Sequence, residues 1–142
     1  MSTFSTDNDL FALEPELRED LPSGQSSFEK QHEQAHKEIV RKLVKDKIIV
    51  LGPRYELDDA EDFIHRPDEL NLASSYKVLS MIFRFMSNSA DDTFMEKSVL
   101  YDSMFKTEYS EATQSLSIDI DKDGVEDDKE VGFNHSVRLR RT

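Results

Sequence analysis

Hydrophobic residues recur at helical spacing in three stretches of the chain. Apolar positions three and four residues apart lie on one face of an α-helix, so each stretch predicts an amphipathic helix with that face buried. The first helix should begin near Ser27, the second follows Pro67 and the third follows Thr93. The recurring positions are Phe28, His32, Ala35, Ile39 and Leu43 in the first stretch, Leu72, Tyr76, Leu79, Phe83 and Met86 in the second, and Phe94, Tyr101, Phe105, Tyr109, Ala112 and Leu116 in the third.

The three helices predict a small bundle. A short polar turn at Ser87-Asn88-Ser89 joins the second and third helices, which favours an antiparallel pair, and the first helix closes the core as a third member. Thr93, with Glu96 three residues later, forms a capping-box pattern at the start of the third helix. We expect the core to contain Phe28, Tyr76, Leu79, Phe83, Tyr101 and Phe105.

The segments around these helices carry shorter patterns. Between Thr6 and Leu21, leucines at helical spacing predict one short helix, with Thr6 or Asp7 as its N-cap and Pro15 limiting how far it can run. The acidic stretch from Arg54 to Pro67 is interpreted as a connecting loop, with at most one helical turn, that contacts another protein. Residues 117–142 hold two short β-type runs around an acidic, glycine-containing turn, which predicts a hairpin or an extended arm.

The predicted fold class is therefore mainly α, a small helical bundle with a C-terminal β-hairpin or extended arm. We divide the chain into a short N-terminal helix and turn (residues 1–25), a helical bundle core (26–116), and an acidic turn followed by a basic C-terminal arm (117–142).

The composition of the chain excludes several classes of function. The 142 residues include no cysteine and carry a net charge of −12. A disulfide framework, a thiolate zinc site and a cysteine nucleophile are therefore excluded. Phosphate neutralisation needs clustered lysine and arginine, so we expect no sequence-specific nucleic-acid binding, although an acidic wall would let DNA pass without sticking. The opening residues lack a secretory pattern and no run reaches the length of a membrane span, so we expect a protein that stays in the cytoplasm where it is made.

The segment His32-Glu33-Gln34-Ala35-His36 matches the HExxH pattern of zinc hydrolases. In that pattern two histidines one helical turn apart bind zinc and the glutamate activates water. A catalytic zinc needs a third protein ligand, and the other histidines, His65 and His135, lie in a predicted loop and a predicted tail. We interpret His32 as a packing residue at the edge of the core and keep the zinc hydrolase as the less favoured alternative.

An acidic stretch near residue 124 fits the pattern of an EF-hand calcium loop. Carboxylates at alternate positions can wrap a hard cation, Gly124 permits the sharp turn, and a final glutamate can close the shell with two oxygens. Glu126 stands where a paired EF-hand has an apolar residue, and the sequence holds no second loop to pair with. Two interpretations stay open, a lone structural calcium loop in a calcium-binding interaction protein, or an acidic Asp-Gly turn without a cofactor. The candidate ligands are Asp119, Asp121, Asp123, Asp127 and Glu130.

A basic arm follows in an otherwise acidic chain. Arginines alternate with apolar residues, a pattern that suits a strand docking on a partner, with apolar side chains in pockets and arginines on carboxylates. The proposed binding residues are Val137, Arg138, Leu139, Arg140 and Arg141, and a frayed, solvated terminus is the alternative interpretation.

The order of these features resembles that of head–tail adaptor, or neck, proteins of tailed bacteriophages. Residues 9–15 (DLFALEP) precede residues 21–25 (LPSGQ), and a helix containing Phe28, Gln31, His32 and Ala35 ends in residues 40–43 (VRKL). The paired helices, the Asp-Gly turn and residues 137–141 (VRLRR) complete the resemblance, which spans nearly the whole chain.

This resemblance implies a structural virion protein without catalysis. It implies a homo-oligomeric ring of about twelve copies beneath the portal, with DNA passing through the ring. It also implies that the arm, Val137 to Arg141, binds the portal protein and that the far side receives a stopper or tail-completion protein. The expected location is the virion neck, after assembly in the host cytoplasm.

Overall fold

The computed structural model describes residues 3–19, 26–53, 55–88 and 92–116. Within these ranges the chain is mainly helical, which confirms the predicted fold class. The predicted hairpin or arm over residues 117–142 lies outside the described residues. The α-helices are α1 (Asp7–Leu13), α2 (Glu29–Lys45), α3 (Asn71–Met86) and α4 (Thr93–Ser115), and 3-10 helices span Pro15–Glu19, Leu57–Phe63 and Pro67–Leu70.

Helices α3 and α4 form the predicted antiparallel hairpin. The Phe83 ring stacks on Phe94 and on Tyr101, with centroids 6.2 and 5.9 Å away. One turn further from the connection, the Ser98 hydroxyl donates to the Ser80 carbonyl oxygen at 2.8 Å. The helix α4 begins one residue earlier than the capping pattern suggested, because the Asp92 carboxylate accepts from the Met95 amide at 2.8 Å and makes Asp92 the N-cap.

The buried face of α3 differs from the prediction by part of a turn. Leu72 is 38% exposed, whereas its small neighbours from Ala73 to Ser75 are buried. Small side chains let the backbone approach neighbouring elements closely, so they take the central positions of the face. Tyr76 is partly buried and contacts both clusters of core residues. The buried residues of α3 are Ala73, Ser74, Ser75, Val78, Leu79, Ser80, Ile82 and Phe83.

Helix α2 packs against α3 and closes the bundle, as predicted. It ends in a Schellman motif, in which the Ile48 amide donates to the Leu43 carbonyl at 2.9 Å and the Lys47 amide to that of Val44 at 3.1 Å. Lys47 takes the left-handed conformation that this motif requires, with φ of 62°. The turn brings Ile48 and Ile49 back into the core.

The acidic connection after α2 is more ordered than the predicted loop. A 3-10 helix from Leu57 to Phe63 packs on α2 through its buried residues Ala60 and Phe63. The Asp59 carboxylate accepts from the Glu56 amide at 2.9 Å and caps the helix start. A 3-10 helix has about three residues per turn, so a short one among acidic residues does not show the apolar spacing of an α-helix.

The N-terminal segment, defined here as residues 3–17, lies across the bundle. Thr6 is the N-cap of α1, as predicted, with its amide donating to the Asp9 carboxylate at 2.8 Å. The short helix stops before Pro15, as predicted: α1 ends at Leu13, and a 3-10 helix begins at Pro15. Within the described ranges, no helix combines the length and apolar character needed to cross a bilayer.

Candidate functional site

A buried chain of polar side chains ties the N-terminal segment to the bundle. The Ser5 hydroxyl lies 2.8 Å from His32 Nδ1 and 2.8 Å from the Ser74 hydroxyl. On the other side of the ring, His32 Nε2 lies 3.1 Å from Asp7 Oδ1. A carboxylate accepts, so Nε2 carries a proton that it donates to Asp7, and neutral His32 then accepts from Ser5 at Nδ1. Three elements, the N-terminal segment, α2 and α3, are therefore joined through the Ser5 hydroxyl and the His32 ring.

The serine, histidine and aspartate of this cluster have the composition of a hydrolytic triad. In such a triad the serine bonds Nε2 and the aspartate Nδ1, whereas here the two nitrogens are exchanged. Ser5 is 1% exposed, so a substrate carbonyl cannot reach its oxygen in this arrangement. The cluster is therefore interpreted as a packing network.

Burial controls the protonation of this cluster. The pKa of His32 is lowered, because burial penalises the imidazolium more than the nearby carboxylates, led by Asp7, favour it. Burial tends to raise the pKa of Asp9, but hydrogen bonds from the Asn71 amide and from Thr6 outweigh it and leave that pKa below its usual value. Neutral His32 beside ionised Asp9 fits the hydrogen-bond directions given above.

The far end of the N-terminal segment binds α4. The Tyr101 hydroxyl donates to Glu14 Oε1 at 2.7 Å, and Lys97 Nζ lies 3.2 Å from Glu14 Oε2. Burial, followed by this hydrogen bond to the carboxylate, raises the pKa of Tyr101. Tyr109 is bound similarly, its hydroxyl donating to Asp46 at 2.9 Å, and its pKa is raised by burial and that hydrogen bond.

The two histidines of the HExxH segment serve different neighbours. His32 bonds Ser5 and Asp7, whereas His36 Nε2 bonds Glu61 Oε2 at 2.7 Å and its ring packs 4.3 Å from that of Phe4. Both histidines are buried, and His36 Nδ1 has no hydrogen-bond partner. No group of three histidine, cysteine or carboxylate residues within the described ranges is placed to hold a metal ion.

An open groove lies between α2 and the 3-10 helix Leu57–Phe63. Its volume is about 510 Å³, and a second hollow of about 410 Å³ lies between the same connection and the N-terminal segment. Glu61 lines both hollows, and the two together are called the Glu61 groove below. The lining residues are His36, Lys37, Val40, Arg41, Leu57, Asp58 and Glu61 in the first part, and Thr3, Phe4, Glu61, Asp62, Ile64 and Pro67 in the second.

Large apolar side chains are exposed on the α3–α4 hairpin. Phe85 is 84% exposed, Val99 58% and Leu100 55%. Phe85 lies in the last turn of α3, and the other two lie in the second turn of α4, so all three lie towards the connected end of the hairpin. Helical spacing in α4 could have identified Val99 and Leu100, since they lie between the core positions.

The sequence-predicted binding residues lie outside the described part of the chain. This holds for the candidate calcium ligands (Asp119, Asp121, Asp123, Asp127 and Glu130) and for the candidate portal-binding residues (Val137, Arg138, Leu139, Arg140 and Arg141). Their roles stay predictions. The Glu61 groove and the Ser5–His32 contact had no signal in the sequence, because each joins segments that are far apart along the chain.

Comparisons with protein-family models, with curated proteins and with solved structures found no match for this chain.

Proposed function

We propose that the protein is a structural subunit of the neck of a tailed bacteriophage, a head–tail adaptor that forms a ring beneath the portal. The proposal combines the ordered sequence resemblance with three properties of the folded chain: exposed apolar side chains, a strongly acidic composition and an N-terminal segment fastened to the bundle. In the ring, neighbouring copies contact one another, the arm at Val137 to Arg141 binds the portal, and a stopper or tail-completion protein binds the far side.

The observation that carries the proposal is the exposed apolar surface of the α3–α4 hairpin. Phe85, Val99 and Leu100 are exposed to water in a chain with a net charge of −12. Burying these apolar side chains in a contact between copies would be favourable. Each Å² of apolar surface that such a contact removes from water contributes about 25 cal/mol. A repeated contact of this kind is what a closed ring needs.

Several of the residues that carry the resemblance stabilise the fold. Leu10 and Phe28 are fully buried, His32 bonds Asp7, and Glu14 bonds α4. These side chains hold the N-terminal segment in place. Packing therefore explains their presence in the sequence, without a catalytic role. This supports a structural protein over the zinc hydrolase.

The charge of the chain supports a place beside DNA without gripping it. Acidic residues outnumber basic ones by 30 to 18. A ring with an acidic inner wall would repel phosphates and let the duplex slide through.

The direct experiment mixes the purified chain with the portal protein encoded beside it and images the product by electron microscopy. We expect a ring of this chain against one face of the portal. Neighbouring genes that encode neither a portal nor a major capsid protein would contradict the proposal, as would a chain that leaves the portal unoccupied.

Variants test the two proposed contacts separately. Changing Phe85, Val99 and Leu100 to serine should abolish ring formation and leave the fold intact, whereas Val50→Ser, at an equally exposed residue outside the hairpin, should have no effect. Replacing the arginines at 138, 140 and 141 by serine should abolish portal binding. Unchanged portal binding would contradict the assignment of the arm.

A further inference from the structure

The Glu61 groove runs along the most acidic part of the described chain. Residues 55–69 contain seven carboxylates and one arginine, a balance of −6 within a chain whose total is −12. Several of these side chains, including Asp58 and Asp62, are exposed at the groove. Such a concentration of one sign favours a partner with the opposite charge.

The floor of the groove is apolar. Val40 and Leu57 line the first hollow, where Leu57 is 38% exposed, and Phe4 and Ile64 line the second. The combined hollows can hold several side chains of an extended peptide. Apolar lining residues and the carboxylates of the 3-10 helix together suit a ligand that alternates apolar and basic residues.

We propose that the Glu61 groove holds residues 136–141 of the same chain when the protein is free. In an extended segment, Val137 and Leu139 lie on one side, about 7 Å apart, and can face the apolar floor. The alternating arginines, on long side chains, then reach the carboxylates at the rim, where guanidinium and carboxylate can pair through two hydrogen bonds.

The charges on the two walls of the groove determine which wall the bound segment lies closer to. Lys37 and Arg41 line the α2 side, while Asp58 and Glu61 line the opposite side. Arginines are repelled from the first wall and attracted to the second, so the arm lies closer to the 3-10 helix than to α2.

The chain is long enough to make this contact within one molecule. Leu116, the last described residue, belongs to the same buried cluster as Phe4 and Ile64, which line the groove. The 19 residues from 117 to 135 can span about 60 Å when extended. This exceeds the diameter of about 35 Å expected for a folded unit of this size, and tethering raises the local concentration of the arm.

The absence of native cysteine makes a direct test simple. A nitroxide attached to Asn134→Cys in the full-length, ¹⁵N-labelled chain should broaden the amide signals of residues 36–41 and 57–64. The same signals should stay sharp when the nitroxide is carried by an unlabelled chain mixed with a labelled chain that lacks it. Broadening confined to other surfaces, or seen solely in the mixed sample, would overturn the proposal.

Matched variants separate a specific contact from general attraction. Asp58→Lys in the groove, or serine in place of the arginines at 138, 140 and 141, should abolish most of the broadening. Glu111→Lys, the same charge change at an exposed site on α4, should leave it in place. Equal effects of the two lysine variants would show a non-specific attraction and overturn the groove as the binding site.

This proposal goes beyond the neck function and fails separately from it. A free chain whose arm avoids the groove could still bind a portal through that arm, and the imaging experiment would show it. If both contacts exist, the portal and the groove compete for the same arginines. Asp58→Lys should then strengthen portal binding, while Glu111→Lys should leave it unchanged.

Discussion

The N-terminal segment and the α3–α4 hairpin are held by different kinds of contact. The hairpin is held by aromatic stacking and apolar burial around Phe83, whereas the N-terminal segment adds to its buried Leu10 and Leu17 a set of hydrogen bonds centred on His32. Apolar burial is non-directional and tolerates small shifts. Buried hydrogen bonds require one geometry and penalise any partner that is lost. The polar cluster therefore fixes where the N-terminal segment lies more narrowly than apolar burial alone would.

The largest expected effect is in the hairpin. Phe83→Ala removes a buried ring that stacks on two others and should lower the free energy of unfolding by about 3–5 kcal/mol, measured by urea denaturation. If that variant does not fold, Phe83→Leu should still show a loss of about 1–2 kcal/mol. Phe85→Ala, at an exposed position two residues away, should change stability by less than about 0.5 kcal/mol. Similar losses at both positions would contradict the assigned core.

A smaller effect is expected at the polar cluster. His32→Gln leaves Ser5 and Asp7 without their ring partner and should cost about 1–3 kcal/mol. The loss should be local as well as global, so amide hydrogen exchange should accelerate most in residues 4–10. Uniform acceleration, with no preference for that segment, would contradict the fixing role of the cluster.

The pH dependence of stability should identify the same histidine. Because the folded pKa of His32 lies below its unfolded value of about 6.5, the unfolded chain binds a proton that the folded chain does not. The free energy of unfolding should therefore fall as pH decreases from about 6.5 towards the folded pKa, although Asp7, Asp9 and Glu29 beside the ring reduce the effect. His32→Gln should flatten this slope, and the control His65→Gln should retain it. An equal slope in all three proteins would exclude His32 as its source.

The smallest effect is expected where the two regions meet. Glu14→Ala removes the acceptor of Tyr101 and the ion partner of Lys97 and should cost about 1 kcal/mol in urea denaturation. Glu14→Gln keeps an acceptor for the tyrosine and should lose less. Glu16→Ala, at an exposed carboxylate in the following 3-10 helix, serves as the control, and a loss as large as that of Glu14→Ala would contradict the contact.

Local hydrophobic periodicity was enough to predict the α3–α4 hairpin and helix α2, which packs against it. Large apolar residues such as Leu79 and Phe105 repeat at helical spacing, so their burial follows from the pattern. The pattern failed at Leu72 and at Ser74, because it weighs side chains by size and polarity. Ser74 is buried since its hydroxyl finds Ser5, and that partner lies 69 residues away along the chain.

The candidate sites were harder to predict from the sequence, because they too depend on contacts between residues that lie far apart along the chain. The HExxH pattern correctly placed His32 and His36 on one helix, and the interpretation of His32 as a packing residue agrees with its burial. No local signal pairs His36 with Glu61 or brings residue 4 to the same surface. Those contacts depend on the path of the acidic connection, for which the sequence predicted a loop with at most one helical turn, whereas the chain forms a 3-10 helix of 7 residues.

The phenol–carboxylate pairs at Tyr101 and Tyr109 make the protein an optical reporter of its own unfolding. The chain contains no tryptophan, so its near-ultraviolet spectrum depends on tyrosine and phenylalanine. With raised pKa values, these two phenols stay protonated in the folded chain above pH 10 and ionise when it opens. Base therefore destabilises the fold, and tyrosinate absorbance should rise together with the loss of helix.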